Sequence, residues 1–583
     1  MPSTQFEVAK LSGEKNSLNH TTSSRAGTLQ EECLVASQYI AETPSAYGFP
    51  LLIKGLLESG IKRAPEQEIV SANQNRFTYR EFAERVGRLA SGLASLGVER
   101  GDTVAIMDWD THRYLECFFA VPMMGAALHT VNVRLSAEQI LYTINHAEDD
   151  VILTNSEFLP LLEQIWERVD AGKKLVLLND TGKPAQTVQT SLSFDAEYEA
   201  LIAAADPWRE FPDFDENTRA TTFYTTGTTG RPKGVYFSHR QLVLHTLSAR
   251  AALAAIGHGW FKDEDVYMPI TPMFHVHAWG FPYIATMLGV KQVYCGRYAA
   301  DSVVALFQRE KVTLSHCVPT ILRMLLDSAK TKRINLSGWK IIIGGAALPE
   351  ALAREALELG LDVYAGYGMS ETCPLLTLSG LMPKMNNWAF ERQVEMRCKA
   401  GRPAPLTQLR IVDGEMNHLP HDGKTPGELV ARAPWLTQGY FKDPKGSEKL
   451  WAGGWLHTGD VATIDTDGYV KITDRLKDMI RSGCEWISSL QLEDLILRHP
   501  GVAEAAVIGV PDPKWIERPL GLLVAKPCQQ VSEEQIRAHL QGFVEKGIIA
   551  SYSVPDRIVF VEALPKTSVG KLDKKVMRER YAQ

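Results

Sequence analysis

The most informative stretch of this chain runs Tyr224-Thr225-Thr226-Gly227-Thr228-Thr229-Gly230-Arg231-Pro232-Lys233-Gly234. Its glycines let the backbone turn N–H groups toward a bound anion. Its threonine hydroxyls can donate to phosphate oxygens or ligate a hard cation, and Lys233 adds a point charge suited to phosphate. The spacing differs from the G-x-x-x-x-G-K-[ST] pattern of the P-loop. We therefore expect a polyphosphate-binding loop of another kind here, rather than an ordinary flexible surface loop.

Strand-like residues lie on both sides of this loop. Residues 220–224 predict a strand before it, and residues 235–237 predict a short return strand after it. Ser238 is expected to cap a helix that runs from about His239 through Leu253. A strand, a phosphate loop, a return strand and a helix together indicate an α/β sheet.

Short apolar runs separated by helical segments continue in both directions. Thr78 is expected to cap a helix that extends through Leu96. The apolar residues 117–128 are too few to span a membrane and predict a buried helix. Buried strands are predicted at residues 104–107, 151–154, 175–178, 292–294 and 341–343. Helices between such strands imply parallel sheets with crossover connections.

The pattern changes after about Ala400. Residues 408–412 and 427–431 predict half-exposed strands, and residues 462–472 predict a β-hairpin. A smaller module follows, with strands at 505–510, 520–525 and 557–561 and a helix at 533–545. We predict a polar, partly disordered N-terminal extension at 1–47, a large domain at 48–476 and a small domain at 477–583. The hinge between the two domains is expected at 474–478.

Composition excludes several functional classes. The chain has 583 residues, 45% hydrophobic and 22% charged, which is typical of a soluble protein with several domains. The net charge of −7 argues against nucleic acid as a partner. We expect no membrane span and no secretory signal. The eight cysteines contain no C-x-x-C pair, which favours reduced thiols in the cytoplasm over disulfides or a zinc site.

Two more clusters suit nucleotide binding. Gly366-Tyr367-Gly368-Met369-Ser370-Glu371-Thr372 follows a predicted strand at 361–364, where Tyr367 is able to stack on a base and Glu371 to hold Mg²⁺ with Thr225. Asp460 is placed at a turn, where it is able to accept bonds from ribose hydroxyls. Taken alone, a tyrosine between glycines is more often a packed turn, and an aspartate such as Asp460 is more often a capping or turn residue.

The C-terminal stretch Leu564-Pro565-Lys566-Thr567-Ser568-Val569-Gly570-Lys571-Leu572 places two lysines around a small turn. A basic tail is commonly a solvated surface. The alternative is that this turn delivers Lys571 into an active site.

In this order, the clusters resemble those of the acyl-adenylate-forming (AMP-binding) enzymes: acyl-CoA synthetases, peptide-synthetase adenylation domains and luciferases. The resemblance covers residues 49–581. It is closest to the fatty-acid–CoA ligases, on the stretches Pro272-Met273-Phe274-His275-Val276-His277-Ala278-Trp279 and Ser482-Gly483-Cys484-Glu485-Trp486-Ile487-Ser488-Ser489. It implies an α/β fold whose large N-terminal domain has mixed and parallel sheets sandwiched by helices and a β-barrel-like subdomain. A small, mobile α+β C-terminal domain completes this fold.

The resemblance implies an ATP-dependent, AMP-forming acid–thiol ligase for medium- to long-chain fatty acids. A carboxylate and ATP give an acyl-adenylate and pyrophosphate, and the thiol of CoA then gives the thioester and AMP. Mg²⁺ is the implied cofactor, with ATP and CoA as co-substrates. A homodimer is implied as well, and a hydrophobic acid substrate favours loose membrane association.

Residue roles follow from the same resemblance. The catalytic residues are Lys571, Glu371 and Thr225, and the last two also ligate the metal. The rotation of the small domain turns on Lys477. Nucleotide contacts are implied for Thr225, Thr226, Gly227, Thr228, Thr229, Gly230, Lys233, Gly345, Ala346, Ala365, Gly366, Tyr367, Gly368, Ser370, Asp460, Arg475, Lys477 and Arg481. Acyl contacts are implied for His275, Val276, Gly345 and the tunnel gate Trp279, and CoA contacts for Glu485 and Trp486.

The chain departs from the family pattern at three positions. Arg481 stands where many relatives have lysine, Cys484 replaces a usual glycine, and Ser370 replaces the commoner threonine. The first two put the CoA step in question. The alternatives are a CoA ligase for a short or substituted acid, an adenylation enzyme that loads a carrier protein, and a non-catalytic binding protein.

Overall fold

The computed structural model describes residues 43–71, 75–170, 172–179, 188–225, 231–256, 259–483, 485–567 and 570–582. The predicted loop residues Thr226, Gly227, Thr228, Thr229 and Gly230, the departure at Cys484 and residues 1–42 of the predicted extension lie outside these ranges. The chain divides into two units, Met1–Phe49 and Pro50–Gln583. In the first unit, the rings of Tyr47 and Phe49 meet edge to face with centroids 5.6 Å apart.

The strands are listed here in chain order. They are β1 Glu68–Ser71, β2 Arg76–Thr78, β3 Thr103–Met107, β4 Ala127–Thr130, β5 Val151–Asn155, β6 Lys174–Leu178, β7 Ala196–Glu197, β8 Arg219–Thr225, β9 Lys233–Ser238, β10 Val266–Pro269, β11 Lys291–Tyr294, β12 Leu314–Cys317, β13 Lys340–Ile343, β14 Asp362–Gly368, β15 Leu375–Leu378, β16 Arg402–Pro403, β17 Gln408–Val412, β18 Gly427–Arg432, β19 Leu456–Ile464, β20 Val470–Arg475, β21 Ile480–Ser482, β22 Glu485–Ile487, β23 Val502–Asp512, β24 Ile516–Ala525 and β25 Arg557–Phe560.

The helices follow in the same way. They are α1 Lys54–Arg63, α2 Tyr79–Ser95, α3 His112–Met123, α4 Ala137–Ala147, α5 Leu159–Glu163, α6 Tyr198–Ala204, α7 His239–Ala254, α8 Phe281–Leu288, α9 Ala300–Glu310, α10 Pro319–Lys332, α11 Glu350–Glu358, α12 Phe390–Cys398, α13 Pro444–Leu450, α14 Ser489–Leu497, α15 Glu533–Glu545 and α16 Lys574–Tyr581. None of the helices in the described ranges is long and apolar enough to cross a membrane.

Two large sheets form the body of the molecule. One has the strand order β7-β6-β5-β3-β4-β8-β9 and is parallel except for the pair β8–β9. The other has the order β16-β15-β14-β13-β12-β10-β11-β1-β2 and is antiparallel only at its two ends. Helix α3 is buried along its whole length and contacts both sheets, through β3, β4 and β8 on one side and β1 on the other. Strands covered on both faces explain the continuous apolar runs in the sequence.

Two smaller sheets follow along the chain. Strands β17-β18-β19-β20 form an antiparallel meander, the part that was expected to resemble a barrel. Strands β22-β21-β24-β23, with β25 parallel to β24, form the sheet of the C-terminal module. Helices α14 and α15 pack on this sheet around a core that includes Leu492, Ile496 and Leu540. The predicted α/β class with a smaller C-terminal part is therefore confirmed.

The local predictions around the phosphate stretch are confirmed. Strands β8 and β9 pair antiparallel, with Thr225 opposite Lys233. Ser238 caps α7 in a capping box with Gln241, and Thr78 does the same for α2 with Glu81. A hydroxyl residue followed three positions later by Gln or Glu thus fixes where both helices begin.

Three local predictions were wrong. The expected buried helix at residues 117–128 is α3, which ends at Met123, and β4 begins at Ala127. The chain reverses at Gly125, whose φ is +86°. Strand β14 does not stop before the glycines but continues through Gly368, because no side chain separates it from Pro374; a Cβ on Gly368 would stand 1.6 Å from the Pro374 carbonyl oxygen.

The third wrong prediction is the half-exposed strand at residues 427–431, whereas β17 is half exposed as expected. In β18, Leu429, Val430 and Ala431 are all fully buried. Leu429 packs with Ile411 on one face, and Val430 packs with Trp455 on the other. Trp455, which is distant in sequence, covers the second face of β18. This strand therefore lacks the alternation of apolar and polar residues that an exposed face would impose.

Candidate active site

Glu371 lies just after β14 in a 3₁₀ turn, Ser370–Thr372, and only 8% of it is exposed. The hydroxyl of Tyr440 donates to Glu371 Oε1 at 2.8 Å. Burial raises the pKa of the Glu371 carboxyl, and the hydrogen bond from Tyr440 and the charges of Lys571 and Lys233 oppose this rise. The Lys233 ammonium itself lies 4.1 Å from the centre of the Tyr440 ring. Tyr440 therefore links Glu371 to Lys233, the first residue of β9.

A buried carboxylate of this kind is suited to a cation. Among the described residues, no group of three or more His, Cys, Asp or Glu side chains is arranged to hold a metal ion. Mg²⁺ needs no such cage, because it binds through one or two carboxylates together with water and substrate phosphates. The donor set of Glu371 and Thr225, at the end of β8, fits that mode.

Asp460 connects the four-stranded sheet to β14. The Tyr367 hydroxyl donates to Asp460 Oδ2 at 2.6 Å, and Arg475 Nε lies 3.3 Å from Oδ1. Asp460 and Arg475 are partners in the β19–β20 register, which explains why they face the same space. Burial raises the pKa of Tyr367 well above its usual range, and the charge of Asp460 raises it further. Both carboxylate oxygens of Asp460 thus have partners.

Lys571 is brought to these residues by a small hairpin. The N–H of Thr567 donates to the Lys571 carbonyl at 2.7 Å, and the N–H of Asp573 donates to the Pro565 carbonyl at 2.9 Å. Burial lowers the pKa of Lys571 to about 8. The nearby cations Arg475 and Lys477 contribute to this decrease in the pKa, whereas the carboxylates of Asp460 and Glu371 oppose it. These charges therefore act on one ammonium group.

The turn after β13 allows this close approach. Gly345 has a φ of +77°, and a Cβ there would stand 3.3 Å from Cε of Lys571 and 3.1 Å from Val318. A Cβ on Gly344 would stand 3.0 Å from the Trp279 indole. Trp279 in turn stacks on the His316 imidazole with centroids 5.0 Å apart. Lys571, the turn at Gly344 and Gly345, and the Trp279 indole therefore form one continuous surface.

The segment that carries Trp279 has an unusual backbone. Five consecutive residues, from Val276 to Gly280, have φ between +46° and +75°, which makes a left-handed turn. For L-residues other than glycine this costs roughly 1–2 kcal/mol per residue. The turn presents Trp279 to the glycines and buries the neighbouring His277 among the rings of Phe118 and Phe223. The pKa of His275, one residue before it, is lowered to about 3 by burial and by the charge of Lys571.

A cavity of about 300 Å³ lies beside β9. Arg231, Lys233 and Lys442 supply three cations to its wall, and Asp443 supplies one carboxylate. The Lys442 ammonium also binds Glu148 at 2.7 Å. An anionic group is favoured in this cavity, next to the predicted phosphate loop.

The other predicted site residues fall into two groups. Ala365, Gly366, Gly368 and Ser370 lie on β14 or directly after it, and Ala346 lies in the turn after Gly345. By contrast, Arg481, Glu485 and Trp486 lie on the β21–β22 hairpin, where Trp486 is 57% exposed. The guanidinium of Arg481 lies 5.9 Å from the Trp486 ring centre. This hairpin forms a separate, exposed aromatic and cationic surface.

Sequence reasoning missed two side chains in the site. Tyr440 holds Glu371 and faces Lys233, and His316 stacks under Trp279. Both are distant in sequence from their partners, and neither belongs to a recognisable spacing. The only local signal was Gly439-Tyr440, directly before the turn at residues 441–442.

Two mixed sheets, an antiparallel meander and a C-terminal module that delivers a lysine define the adenylate-forming fold. A model of the family described as AMP-binding enzyme matches residues 57–441, and the model of its C-terminal domain matches residues 491–571. The chain therefore belongs to the AMP-binding enzyme family.

Individual relatives are similar over most of their length. The chain is 40% identical over 510 residues to the long-chain-fatty-acid–CoA ligase of Thermus thermophilus, covering 87% of this chain and 90% of that protein. It is 39% identical over 539 residues to the 3-methylmercaptopropionyl-CoA ligase of Ruegeria pomeroyi, covering 91% and 97%. The crystal structure of the anthranilate CoA ligase AuaEII in complex with anthranoyl-AMP matches with a TM-score of 0.79, covering 91% of this chain and 98% of that one. At 24% identity, this last likeness concerns the fold alone.

Proposed function

We propose that this protein is an AMP-forming acid–CoA ligase, which activates a carboxylic acid with ATP and transfers the acyl group to CoA. The observation that carries the proposal is the position of Lys571, whose stem lies beside Gly345 and whose ammonium is subject to the charges of Glu371, Asp460 and Arg475. Adenylation brings a carboxylate against a phosphate, and a fixed cation offsets the repulsion between these anions.

The chemistry divides between the residues described above. In the first step a carboxylate oxygen attacks the α-phosphorus of ATP, and the bond to pyrophosphate breaks. Asp460 and Tyr367 hold the nucleoside, and Lys571 contacts the carboxylate and α-phosphate. Arg231 and Lys233 stabilise the leaving pyrophosphate. Mg²⁺, held by Glu371 and Thr225, neutralises phosphate charge when bound.

The second step needs the other surface of the C-terminal module. The CoA thiol attacks the acyl carbonyl, AMP leaves, and the thiol proton passes to solvent. We assign CoA contacts to Glu485 and Trp486, which lie on the exposed hairpin. Because Lys571 occupies the site in this conformation, the module, residues 477–583, must rotate on Lys477 relative to residues 48–476 before CoA reacts.

The acid is proposed to be a medium- to long-chain fatty acid, bound along His275, Val276, Trp279 and Gly345. A short or substituted acid is the second candidate, and the similarity to a 3-methylmercaptopropionyl-CoA ligase favours it. Loading of a carrier protein is the third. A homodimer, a cytoplasmic location and loose membrane association are part of the same proposal, and sedimentation and cell fractionation test them.

The test is pyrophosphate release by the purified protein with Mg-ATP, CoA and straight-chain acids from propionate to palmitate, with the thioester followed by mass spectrometry. An optimum with thioester formed supports the ligase and gives its chain length. Pyrophosphate release without thioester favours carrier loading. No release with any acid, including 3-methylmercaptopropionate, contradicts the proposed activity.

Lys571→Gln provides the matched test of the site. We expect it to slow pyrophosphate release by about 10²-fold or more, because a charge is lost where negative charge develops. Lys566→Gln is the control, since Lys566 lies on the same hairpin but pairs with Glu504 at 2.7 Å. Equal losses in both variants would contradict the role of Lys571.

A further inference from the structure

A second group of charges is buried outside the chemistry described above. Asp474, Ser489, Glu493 and Lys574 are each 9% exposed or less. Asp474 belongs to β20 and therefore to the four-stranded sheet, whereas the other three belong to the C-terminal module. The group crosses the predicted hinge at Lys477.

The four residues form one hydrogen-bonded chain. Lys574 Nζ lies 2.7 Å from Glu493 Oε1 and donates to Ser489 Oγ at 2.6 Å. The Ser489 hydroxyl donates to Asp474 Oδ1 at 3.0 Å, and the Ser489 N–H donates to Asp474 Oδ2 at 2.5 Å. Glu493 also accepts the N–H of Val507 at 2.8 Å. The chain of bonds runs from β23 through α14 and α16 to β20.

Asp474 is held by the start of a helix as well as by the ammonium group. Ser489 is the first residue of α14, so its N–H lies at the positive end of the helix dipole. Next to it, the Ser488 hydroxyl donates to the Thr473 carbonyl at 2.5 Å. Two consecutive residues of β20 therefore hold the N-terminus of α14. Separation of these elements would break both bonds from Ser489 to Asp474, so the link favours the conformation in which α14 lies against β20.

Lys574 lies three residues after Lys571. It is the first residue of α16, directly after the hairpin closed by the Asp573 N–H and the Pro565 carbonyl. The place where Lys574 is anchored thus sets where Lys571 enters the site. An error of about 1 Å in such a position is enough to cost about 10²-fold in rate.

We propose that Lys574, linked through Ser489 to Asp474, is a positioning residue that fixes Lys571 in the site for adenylation and for that step only. The inference rests on the proposed function, because it assigns a residue to one of its two half-reactions. In the thioester step Lys571 is out of the site, so the link to Asp474 has no role there.

Two variants test this. Ser489→Ala removes the hydroxyl that connects Lys574 to Asp474 but keeps the Lys574–Glu493 ion pair. Asp474→Asn removes the charge but keeps the size. We expect the kcat of ATP–pyrophosphate exchange to fall by about 10- to 100-fold in both. Thioester formation from supplied acyl-adenylate is expected to stay close to the wild-type rate.

Two controls separate positioning from stability. Asp556→Asn breaks an ion pair with Arg518 (2.6 Å) inside the C-terminal module, without a link to β20, and is expected to leave the ratio of the two half-reactions unchanged. In a Lys571→Gln background, Ser489→Ala is expected to cost little further exchange activity, since its effect acts through Lys571.

The outcomes are distinguishable. If the wild type exchanges pyrophosphate and both variants lose the two half-reactions equally, or lose neither, the positioning role is overturned. A full additional loss in the Lys571→Gln background also overturns it. Absence of exchange in the wild type with every acid overturns the proposed function itself.

Discussion

The proposed adenylation chemistry depends on Lys571, a lysine whose charged form is only marginally favoured at neutral pH. Burial lowers the pKa of Lys571 to about 8, and the positive charges of Arg475 and Lys477 contribute to the decrease. The Lys571 ammonium is therefore mostly charged at neutral pH, but it loses its proton at a pH only slightly higher. Arginine at the same position would stay charged at every pH at which the protein is folded.

This gives a pH dependence with a definite sign. In the proposed chemistry the charged form of Lys571 is the active one, so kcat/KM for adenylation, which reports the free enzyme, is expected to decrease as the pH rises through about 8. Pyrophosphate release measured across neutral and alkaline pH checks this. Lys571→Arg is expected to be slower but to lack the alkaline decrease. An identical decrease in that variant would assign the titration to another group.

A second prediction concerns Tyr440. Tyr440→Phe removes the hydroxyl that donates to Glu371, a bond worth about 1.5–3 kcal/mol when the acceptor is charged. Without it the pKa of Glu371 rises further, so more Mg²⁺ is needed for half-maximal adenylation. A Mg²⁺ titration of pyrophosphate release measures the change. Tyr298→Phe, which alters a phenol outside this site, is the control; equal shifts in both would argue against a metal role for Glu371.

Among the elements, the left-handed turn is the one that costs most to build. Residues 276–280 sustain positive φ although four of them are not glycine. Such strain persists only where surrounding packing holds it, and it clusters at functional sites. Here the turn is held by the His277 ring among Phe118, Phe223, Phe237 and Tyr283. It sets the direction of the Trp279 indole.

Gly280→Ala tests that turn. The new Cβ would stand 2.8 Å from the His245 ring, at a φ of +75°. We expect a loss of about 1–2 kcal/mol from backbone strain and a further 1–3 kcal/mol or so from overpacking, with altered acyl chain-length preference. Gly97→Ala is the control, since Gly97 has a φ of +93° and open space around it. Denaturant unfolding compares the two; equal losses would mean that the contact with His245 carries no cost.

The sequence predicted elements better than it predicted this turn. Ser238 and Thr78 mark their helices because a hydroxyl and a Gln or Glu three residues later satisfy the first N–H groups locally. The left-handed turn has no such local cause, since its conformation is imposed by rings from three other segments. For the same reason the partners Tyr440–Glu371 and Trp279–His316 were not predictable, whereas the motif around Lys571 was sufficient to propose that residue for the site.

At the scale of the whole molecule, one C-terminal module presents two different surfaces. Its Lys571 hairpin is at the site, while its β21–β22 hairpin leaves Trp486 57% exposed. The exposed indole lies 5.9 Å from the Arg481 guanidinium, so this surface offers an aromatic face beside a positive charge. We propose that the two surfaces face the site in alternation, the Lys571 surface during adenylation and the β21–β22 hairpin during thioester formation.

Trp486→Ala tests that alternation. We expect the thioester half-reaction to slow by about tenfold, in line with a lost stacking contact of about 1–3 kcal/mol. Pyrophosphate exchange is expected to stay at the wild-type rate, because the Lys571 surface is untouched. Phe560→Ala, which removes another exposed ring from the same module, is the control. A loss of exchange in Trp486→Ala would place the hairpin in the first step.

Both carboxylate oxygens of Asp460 already have a partner. The Tyr367 hydroxyl donates to Oδ2, and Arg475 lies against Oδ1. Each of these oxygens is able to accept a further hydrogen bond, so a ribose that binds there adds to the existing contacts instead of displacing them. Tyr367 and Arg475 therefore hold the acceptor in one orientation before a nucleotide arrives, and a nucleotide without the ribose hydroxyl that binds there is expected to lose a complete hydrogen bond to an already oriented carboxylate.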